Sequence, residues 1–305
     1  MKLLFSTRNY VYLYDELLKI GLYEAGSIET KVFPDGECYK RLLTEVDGRE
    51  VILVGGTIND IDTLEVYDLA CSIVKQGAAS LTLVVPYYAY STMERAVKKG
   101  EVVTAKTRAR LLSSIPNTGK GNHIIFCDLH SEGIPHYFEG NIRPIHLYCK
   151  PLIIEACYEL AGGNDFILAC TDAGRAKWVE SLANDMHVNA AFVFKKRLSG
   201  EETSITGINA DVKDKKVIIY DDMIRTGGSL LQAAKSYKEA GAKEVFAITT
   251  HGLFSNNALE KLKKSELFSK IIATNTHPNV LELKGDFLAI KSIASLINTK
   301  IKEKF

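Results

Sequence analysis

The sequence predicts an α/β protein of two similar halves, each a mostly parallel sheet flanked by helices. Three observations carry this. Short apolar runs recur along the whole chain, helix-length amphipathic segments lie between them, and each run ends in a polar turn. The runs are Val51–Val54, Leu81–Val85, Ile124–Cys127, Phe166–Ala169, Ala191–Phe194, Val217–Tyr220, Val245–Ile248 and Ile271–Ala273. They are continuous rather than alternating, as strands buried on both faces of a parallel sheet require. Thr63–Lys75 and Ser229–Glu239 are the clearest helical segments. Strands alternating with helices define the α/β class.

A chain of 305 residues suggests two domains. The helix, Gly-Ala pair and strand around Gly77-Ala78 are echoed around Gly241-Ala242, which fits a duplicated unit. The boundary is expected near Tyr148. The domains are 1–147 and 148–285, with 286–305 a C-terminal helix packing back on the first. The hydrophobic fraction is 46%, charged residues make up 25%, and the net charge is +1. No global field draws in nucleic acid or an acidic membrane, so an anion must meet a local site. The six cysteines show no CxxC pair and no zinc spacing. Cys127 and Cys170 end apolar runs, as buried reduced thiols do. A reducing compartment follows. The N-terminal apolar stretch is broken by Ser6 and Arg8, too early for a secretory signal. No apolar run reaches the length of a membrane span. The expectation is a cytoplasmic protein with no nucleic-acid or membrane partner.

The turns after the runs read GGTIND, PYYAY, DLHSEG, TDAGRAK, KKRLSGEE, DDMIRTGGS, THGLF and TNTHP. In open α/β sheets ligands bind beyond the carboxyl ends of the strands, which is where this vocabulary falls. The most specific stretch runs from Val217 to Ser229. A buried strand leads into Asp221 and Asp222, then Met223, Ile224, Arg225, Thr226, Gly227, Gly228 and Ser229, then a helix. Glycines let backbone N–H groups approach an anion, and the helix start adds its dipole. The two carboxylates can accept from a diol. The competing reading is an Asp-rich turn with Ser229 as N-cap, but such a turn needs neither both acids nor both glycines.

The 217–229 stretch resembles the ribose-phosphate loop of phosphoribosyltransferases and phosphoribosyl diphosphate synthetases. Further segments resemble the synthetases alone, in the family's order. Phe33–Glu37 is similar to their FxDGE, and Pro86–Tyr90 with Glu101–Lys106 to their PYxxY…EPxTAK. Asp128-Leu129-His130 matches DLH, and Thr171–Arg175 is similar to PDxG. Lys195-Lys196-Arg197 fits KxR, and Thr250–Ser255 fits THGxFS. The resemblance spans roughly Leu3 to Pro278, and ordered motifs are far more specific than any one. It implies two phosphoribosyltransferase-like domains and transfer of a diphosphoryl group from ATP to ribose 5-phosphate.

It also implies roles. Lys195 and Arg197 are the catalytic cations. Phe33, Asp35, Glu37, Glu94 and Arg95 take the ATP, and His130 and Asp172 lie at its Mg²⁺. Asp221, Asp222, Arg225, Thr226, Gly227, Gly228 and Ser229 hold ribose 5-phosphate. The polar stretch Gly200–Thr203 reads as a loop able to close over substrate. In the family the Phe33–Glu37 loop reaches a neighbouring subunit, which implies a homo-oligomer. Two departures stand out. Thr92 and Met93 occupy the place of an Arg-Gln pair, and Arg225 stands where Asp is usual. These, with Glu94-Arg95 and Ala109–Pro116, are closer to the plant-type second class, which is associated with looser nucleotide choice. Two other functions compete: a phosphoribosyltransferase, which shares only the 217–229 loop, and a non-catalytic regulatory homologue, favoured by Thr92 and Met93. His251 and His277 read as packed, hydrogen-bonded histidines, and Tyr87, Tyr88 and Tyr90 as core or interface aromatics.

Overall fold

A computed structural model describes every residue except 172, 173, 175, 200, 201 and 305, and the side chains of 194–199 and 202–206 also lie outside the description. The chain divides into two compact units. Unit 1 holds Met1–Tyr148 together with the last helix, and unit 2 holds Cys149–Ile293.

In unit 1 the chain runs β1 (Lys2–Ser6), α1 (Val11–Ile20), β2 (Tyr23–Ala25), β3 (Ile28–Val32), β4 (Cys38–Leu42), β5 (Glu50–Val54), α2 (Asp60–Lys75), β6 (Ser80–Val85), α3 (Thr104–Ser113), β7 (Asn122–Cys127) and β8 (Ile142–Leu147). One parallel sheet has the order β2-β1-β5-β6-β7-β8. Strands β3 and β4 form a separate antiparallel hairpin. The central strands are buried nearly throughout, which is why their sequences are continuously apolar. Helix α2 starts where Asn59 accepts from the Asp62 N–H at 2.9 Å, the usual N-cap bond.

Unit 2 runs α4 (Lys150–Ala161), β9 (Phe166–Cys170), α5 (Ala176–Met186), β10 (Asn189–Ala191), β11 (Val193–Ser199), β12 (Glu202–Ile208), β13 (Lys216–Ile224), α6 (Gly228–Glu239), β14 (Glu244–Gly252), α7 (Ala258–Lys264), β15 (Lys270–Thr274), α8 (Asn279–Leu283) and β16 (Leu288–Lys291). Its sheet is also parallel, with the order β10-β9-β13-β14-β15-β16. Hairpin β11–β12 stands apart from it.

The two sheets have one topology. In each, the second strand lies at the edge beside the first, and the later strands add in order on the other side. In each, an antiparallel hairpin falls between the second and third sheet strands. The Gly-Ala pairs occupy equivalent turns. Gly77 and Gly241 have φ 91° and 92°, the left-handed region that glycine enters at no steric cost. Gly77 accepts from the Gly48 N–H and Gly241 from the Asp214 N–H, both at 2.9 Å.

Two expectations need correction. The apolar run 191–194 is not one sheet strand. The chain leaves the sheet at Phe192, whose N–H is taken by the Asn209 side chain, and restarts in the hairpin. The segment 286–305 is not one helix either. Leu288–Lys291 pairs with β15, because the parallel edge of β15 still offers a full set of backbone partners. Helix α9 (Ala294–Lys304) follows it and packs in unit 1, where Tyr23 donates to Asn298 at 2.8 Å. Among the described residues no helix is long and apolar enough to cross a membrane.

The carboxyl ends of β14 and β15 carry a buried polar band: Thr249, Thr250, His251, Thr274, Asn275, Thr276 and His277. Its members satisfy one another. The Thr274 and Thr276 hydroxyls donate to the Thr250 carbonyl at 2.7 and 2.8 Å, and Thr276 Oγ1 lies 2.9 Å from His251 Nδ1. His277 Nδ1 accepts from the Asn279 N–H at 3.2 Å, which requires that nitrogen to be unprotonated. Burial, reinforced by His251, pushes the His277 imidazole down to about 4.

This has a consequence for stability. The unfolded chain gains a proton at His277 near pH 6.5, and the folded chain does not until about pH 4. The linked stability is full above about pH 6.5 and is lost as pH falls toward 4, up to about 3 kcal/mol at roughly 1.4 kcal/mol per unit. His277→Asn keeps an acceptor for Asn279 and removes the titration. Urea midpoints of this variant should fall less between pH 7 and pH 4.5 than those of the wild type. Equal slopes would remove His277 as the cause.

Candidate functional site

Strand β13 does not stop at Tyr220. It continues through Asp221, Asp222, Met223 and Ile224, with Asp221 opposite Thr249 and Met223 opposite His251. The two acids therefore sit on a strand rather than in a loop, and successive strand residues face opposite sides. Their burial differs accordingly: Asp222 is buried and Asp221 is half-buried. Asp221 Oδ2 accepts from the Thr171 hydroxyl at 3.2 Å. Behind the acids the strand is braced. The Tyr220 ring stacks on Trp178 with centroids 4.3 Å apart, and its hydroxyl lies 3.1 Å from Thr250 Oγ1.

Beyond Ile224 the chain turns. The Ile224 carbonyl accepts from the N–H groups of Leu253 and Phe254, each at 3.0 Å, which pins the end of β13 to the segment after β14. Arg225 and Thr226 are exposed. Gly227, at φ 78°, is the residue before α6, and no described side chain caps that helix. Gly228 and Ser229 form its first turn, so Ser229 is inside the helix and not its cap. A side chain at Gly228 would meet nothing within 4 Å. Uncapped N–H groups at a helix start, beside open space, make an anion site.

Lys195 and Arg197 do not follow a sheet strand, as the sequence suggested. They lie within β11, opposite Ile205 and Thr203 of β12, with register shifts at Phe194/Lys195 and Arg197/Ser199. Thr203, expected in a closing loop, belongs to β12. The side chains of Lys195 and Arg197, and residues Asp172 and Arg175, lie outside the described residues.

In unit 1 the Phe33–Glu37 segment is the exposed tip of hairpin β3–β4. Phe33 N–H donates to the Glu37 carbonyl at 2.8 Å and Gly36 N–H to the Phe33 carbonyl at 2.9 Å. Glu37 N–H donates to Asp35 at 3.1 Å, so the tip is shaped by its own bonds. After β7, Asp128 and Leu129 are buried and His130 is exposed. Glu94 is half-buried, with Arg95 beside it at 3.5 Å and largely exposed. Tyr87 and Tyr88 are core residues. Tyr90, at φ 60°, instead donates to Asp60 at 2.8 Å, and Arg108 donates to the same oxygen at 2.7 Å. Those two bonds hold the Asp60 carboxyl below its usual range, Tyr90 contributing most.

The sequence reading missed Thr171 as a partner of Asp221, and it missed the Asp60–Tyr90–Arg108 group. Each is made by residues far apart in the chain, so no local pattern announces it. Among the described residues no group of three or more His, Cys, Asp and Glu side chains is placed to hold a metal ion.

Comparison with known proteins covers both units. The N-terminal domain of ribose phosphate pyrophosphokinase matches residues 2–115, and a phosphoribosyl synthetase-associated domain matches 169–304. The ribose-phosphate pyrophosphokinase of Caldanaerobacter subterraneus subsp. tengcongensis is 32% identical over 280 residues, covering 91% of this chain and 86% of that one. Ribose-phosphate pyrophosphokinase 4 of Saccharomyces cerevisiae is 35% identical over 273 residues, 88% of this chain and 78% of that one. A chloroplastic relative from Arabidopsis thaliana, ribose-phosphate pyrophosphokinase 2, is 30% identical over 305 residues, 99% of this chain and 74% of that one. The crystal structure of phosphoribosylpyrophosphate synthetase from Mycobacterium smegmatis superposes with a TM-score of 0.85 at 26% identity, covering 99% of this chain and 98% of that one.

Gly227 offers a direct check of the loop. A Cβ there would sit 3.3 Å from Leu262 on a backbone at φ +78°. Left-handed backbone costs a non-glycine residue about 1–2 kcal/mol. Gly227→Ala should therefore lower the melting temperature by about 2–8 °C, at roughly 2–4 °C per kcal/mol for a domain of this size. An unchanged melting temperature would show that the loop is not held in this conformation.

Proposed function

The chain belongs to the ribose-phosphate pyrophosphokinases, and from that membership we propose that it transfers the diphosphoryl group of ATP to the 1-hydroxyl of ribose 5-phosphate. The products are phosphoribosyl diphosphate and AMP. The observation that carries the reading is the end of β13: an accessible carboxylate at Asp221, a glycine turn, and the uncapped start of α6. The 5-phosphate meets the N–H groups of Gly227, Gly228 and Ser229 and the Thr226 hydroxyl, with Arg225 beside it. The ribose hydroxyls donate to Asp221. Asp222, being buried, holds the strand as much as the sugar.

Displacement at the β-phosphorus needs alignment and charge neutralisation more than covalent help. Lys195 and Arg197, both carried by β11, supply fixed positive charge to the phosphates between attack and departure. Phe33 offers a face to the base, and Asp35 and Glu37 offer acceptors. The exposure of Val32 and Phe33 supports a hairpin that meets a second copy of the chain, which makes the enzyme a homo-oligomer. Mg²⁺ prefers one or two protein oxygens plus substrate phosphates to an all-protein cage. Asp172 offers such an oxygen, directly or through a water, ahead of His130, a nitrogen donor that the family resemblance also assigns to the Mg-nucleotide, and Mg²⁺ would neutralise phosphate charge.

Incubation with Mg²⁺, ATP and ribose 5-phosphate should release AMP only when the sugar phosphate is present. Pyrophosphate released from phosphoribosyl diphosphate and a base would instead identify a phosphoribosyltransferase. Asp221→Asn should raise KM for ribose 5-phosphate about ten- to a hundredfold, the loss of a charged hydrogen bond worth about 1.5–3 kcal/mol. KM for ATP should hold. Unchanged sugar kinetics would remove Asp221 from the sugar site.

The donor is a separate matter. Thr92 is half-buried and Met93 is exposed, and neither can make the bidentate phosphate contact of an Arg. Of the nearby exposed cations Arg95, Lys98 and Lys99, Arg95 is the one paired with Glu94. The nucleotide is then gripped mainly through its phosphates, with the base read loosely. Values of kcat/KM for ATP, GTP, CTP and UTP should agree within about tenfold, a spread of about 1.4 kcal/mol. A strong preference for ATP alone would show that the base is read closely.

A further inference from the structure

The turn after β7 is under two local demands. Asp128 has φ +33°, a region that non-glycine residues enter only when the surroundings hold them there. The Asp128 and Leu129 positions are also buried, so their backbone N–H groups need acceptors. Asp128 N–H finds one in the strand ladder, donating to the Leu147 carbonyl at 3.1 Å. Leu129 N–H does not use the ladder. It donates to Nε2 of His146, on β8, at 2.9 Å.

That bond fixes the imidazole. A backbone N–H can only donate, so Nε2 must present its lone pair and the ring proton resides on Nδ1. Nδ1 faces Glu132 Oε2 at 3.5 Å. The same carboxylate oxygen accepts from the Tyr148 hydroxyl at 2.9 Å. The Tyr148 ring stacks on the His146 ring, with centroids 4.1 Å apart and planes 28° from parallel. One residue of β8 and the one just beyond it therefore grip both ends of the turn: Leu129 through Nε2, and Glu132 through Tyr148 with Nδ1 facing it. His130 lies between the grips, exposed.

We infer that His146 is a positioning residue for the nucleotide end of the reaction: it holds the Asp128–Glu132 turn in the shape that presents His130. Tyr148 stacks on the His146 ring, and Glu132 lies on the Nδ1 side, where this tautomer carries its proton. His146 touches no substrate itself. The inference rests on the assignment of His130 to the Mg-nucleotide. The ring-to-backbone bond stands apart from that assignment.

Two substitutions separate positioning from packing. His146→Phe keeps a ring to stack on Tyr148 and removes the acceptor. His146→Gln carries a carbonyl oxygen to about the reach of Nε2 and restores it. With Mg-ATP and ribose 5-phosphate as probes, His146→Phe should raise KM for Mg-ATP about tenfold and leave KM for ribose 5-phosphate unchanged. His146→Gln should return KM for Mg-ATP to within about threefold of the wild type. A purely structural role would lower the melting temperature of both variants without that split between substrates. Long-range ¹H–¹⁵N correlation on the wild-type protein should show His146 protonated at Nδ1 and bare at Nε2. Hydrogen exchange of the Leu129 amide should be faster in His146→Phe than in the wild type.

Protonation at Nε2 would overturn the grip, whatever the enzyme does. The expected tautomer with an unaltered KM for Mg-ATP in His146→Phe would overturn the positioning role. If the wild type forms no AMP, the assignment of the reaction fails instead, and the tautomer and the Leu129 exchange still decide the grip. If His146→Phe does not fold, His146→Gln decides: a KM for Mg-ATP that follows the Leu129 protection, near the wild-type value where it is kept and raised where it is lost, supports the role, and a KM that does not follow it overturns the role.

Discussion

Parallel pairing is the constraint on which the rest of this structure depends. A parallel sheet puts the carboxyl ends of all its strands on one edge, and each return to the other edge needs a crossover. In unit 2, β9, β13, β14 and β15 therefore deliver Thr171, Asp221, His251 and Thr274 to the same side. Those residues are far apart in the chain, and the ladder brings them to one edge without any attraction between them. The same constraint makes the strands apolar on both faces, because helices cover each side. The polar residues are thereby confined to the strand ends, and the chemistry with them.

The shared topology of the two units shows how one scaffold takes on different tasks. Both sheets place a hairpin between their second and third strands. In unit 1 the hairpin tip carries Phe33, Asp35 and Glu37. In unit 2 a strand of the hairpin carries Lys195 and Arg197. The third strand of unit 1 is followed by Gly55-Gly56-Thr57, whereas that of unit 2 continues through Asp221-Asp222. At Gly56 a side chain would run into the Tyr10 hydroxyl, so this edge of unit 1 is filled by a core aromatic. The equivalent edge of unit 2 carries acids and a helix start left open by Gly228.

Buried polar groups hold these edges in shape. A buried donor or acceptor left unpaired costs about 1–3 kcal/mol, so each such group narrows the conformations open to its neighbours. The Thr250 carbonyl takes two hydroxyls, and the Ile224 carbonyl takes two amides. The Leu129 amide takes an imidazole. Each ties a turn of the candidate site to the adjacent strand, where apolar packing alone would leave the turn free to shift.

The amino-acid sequence by itself determined the strands and the order of the motifs. Continuous apolar runs such as 81–85 and 217–220 bury on both faces wherever they are placed, so their local pattern is sufficient. The Gly-Ala pairs likewise announced the repeated turn, since only glycine adopts φ near +91° without strain. Local pattern did not say where β13 ends. Asp221 and Asp222 look like loop residues, yet they continue the strand because β14 continues beside them and supplies partners through Gly252. It did not separate β16 from α9, because pairing with β15 outweighs a weak helical pattern. Nor did it place Lys195 and Arg197 within a hairpin, whose partner strand is fixed only by tertiary pairing. Contacts such as Thr171 with Asp221, or His146 with Leu129, exist only once the ladder has set the register. A hydrogen bond between distant residues depends on where the fold puts them, and no stretch of sequence contains that position.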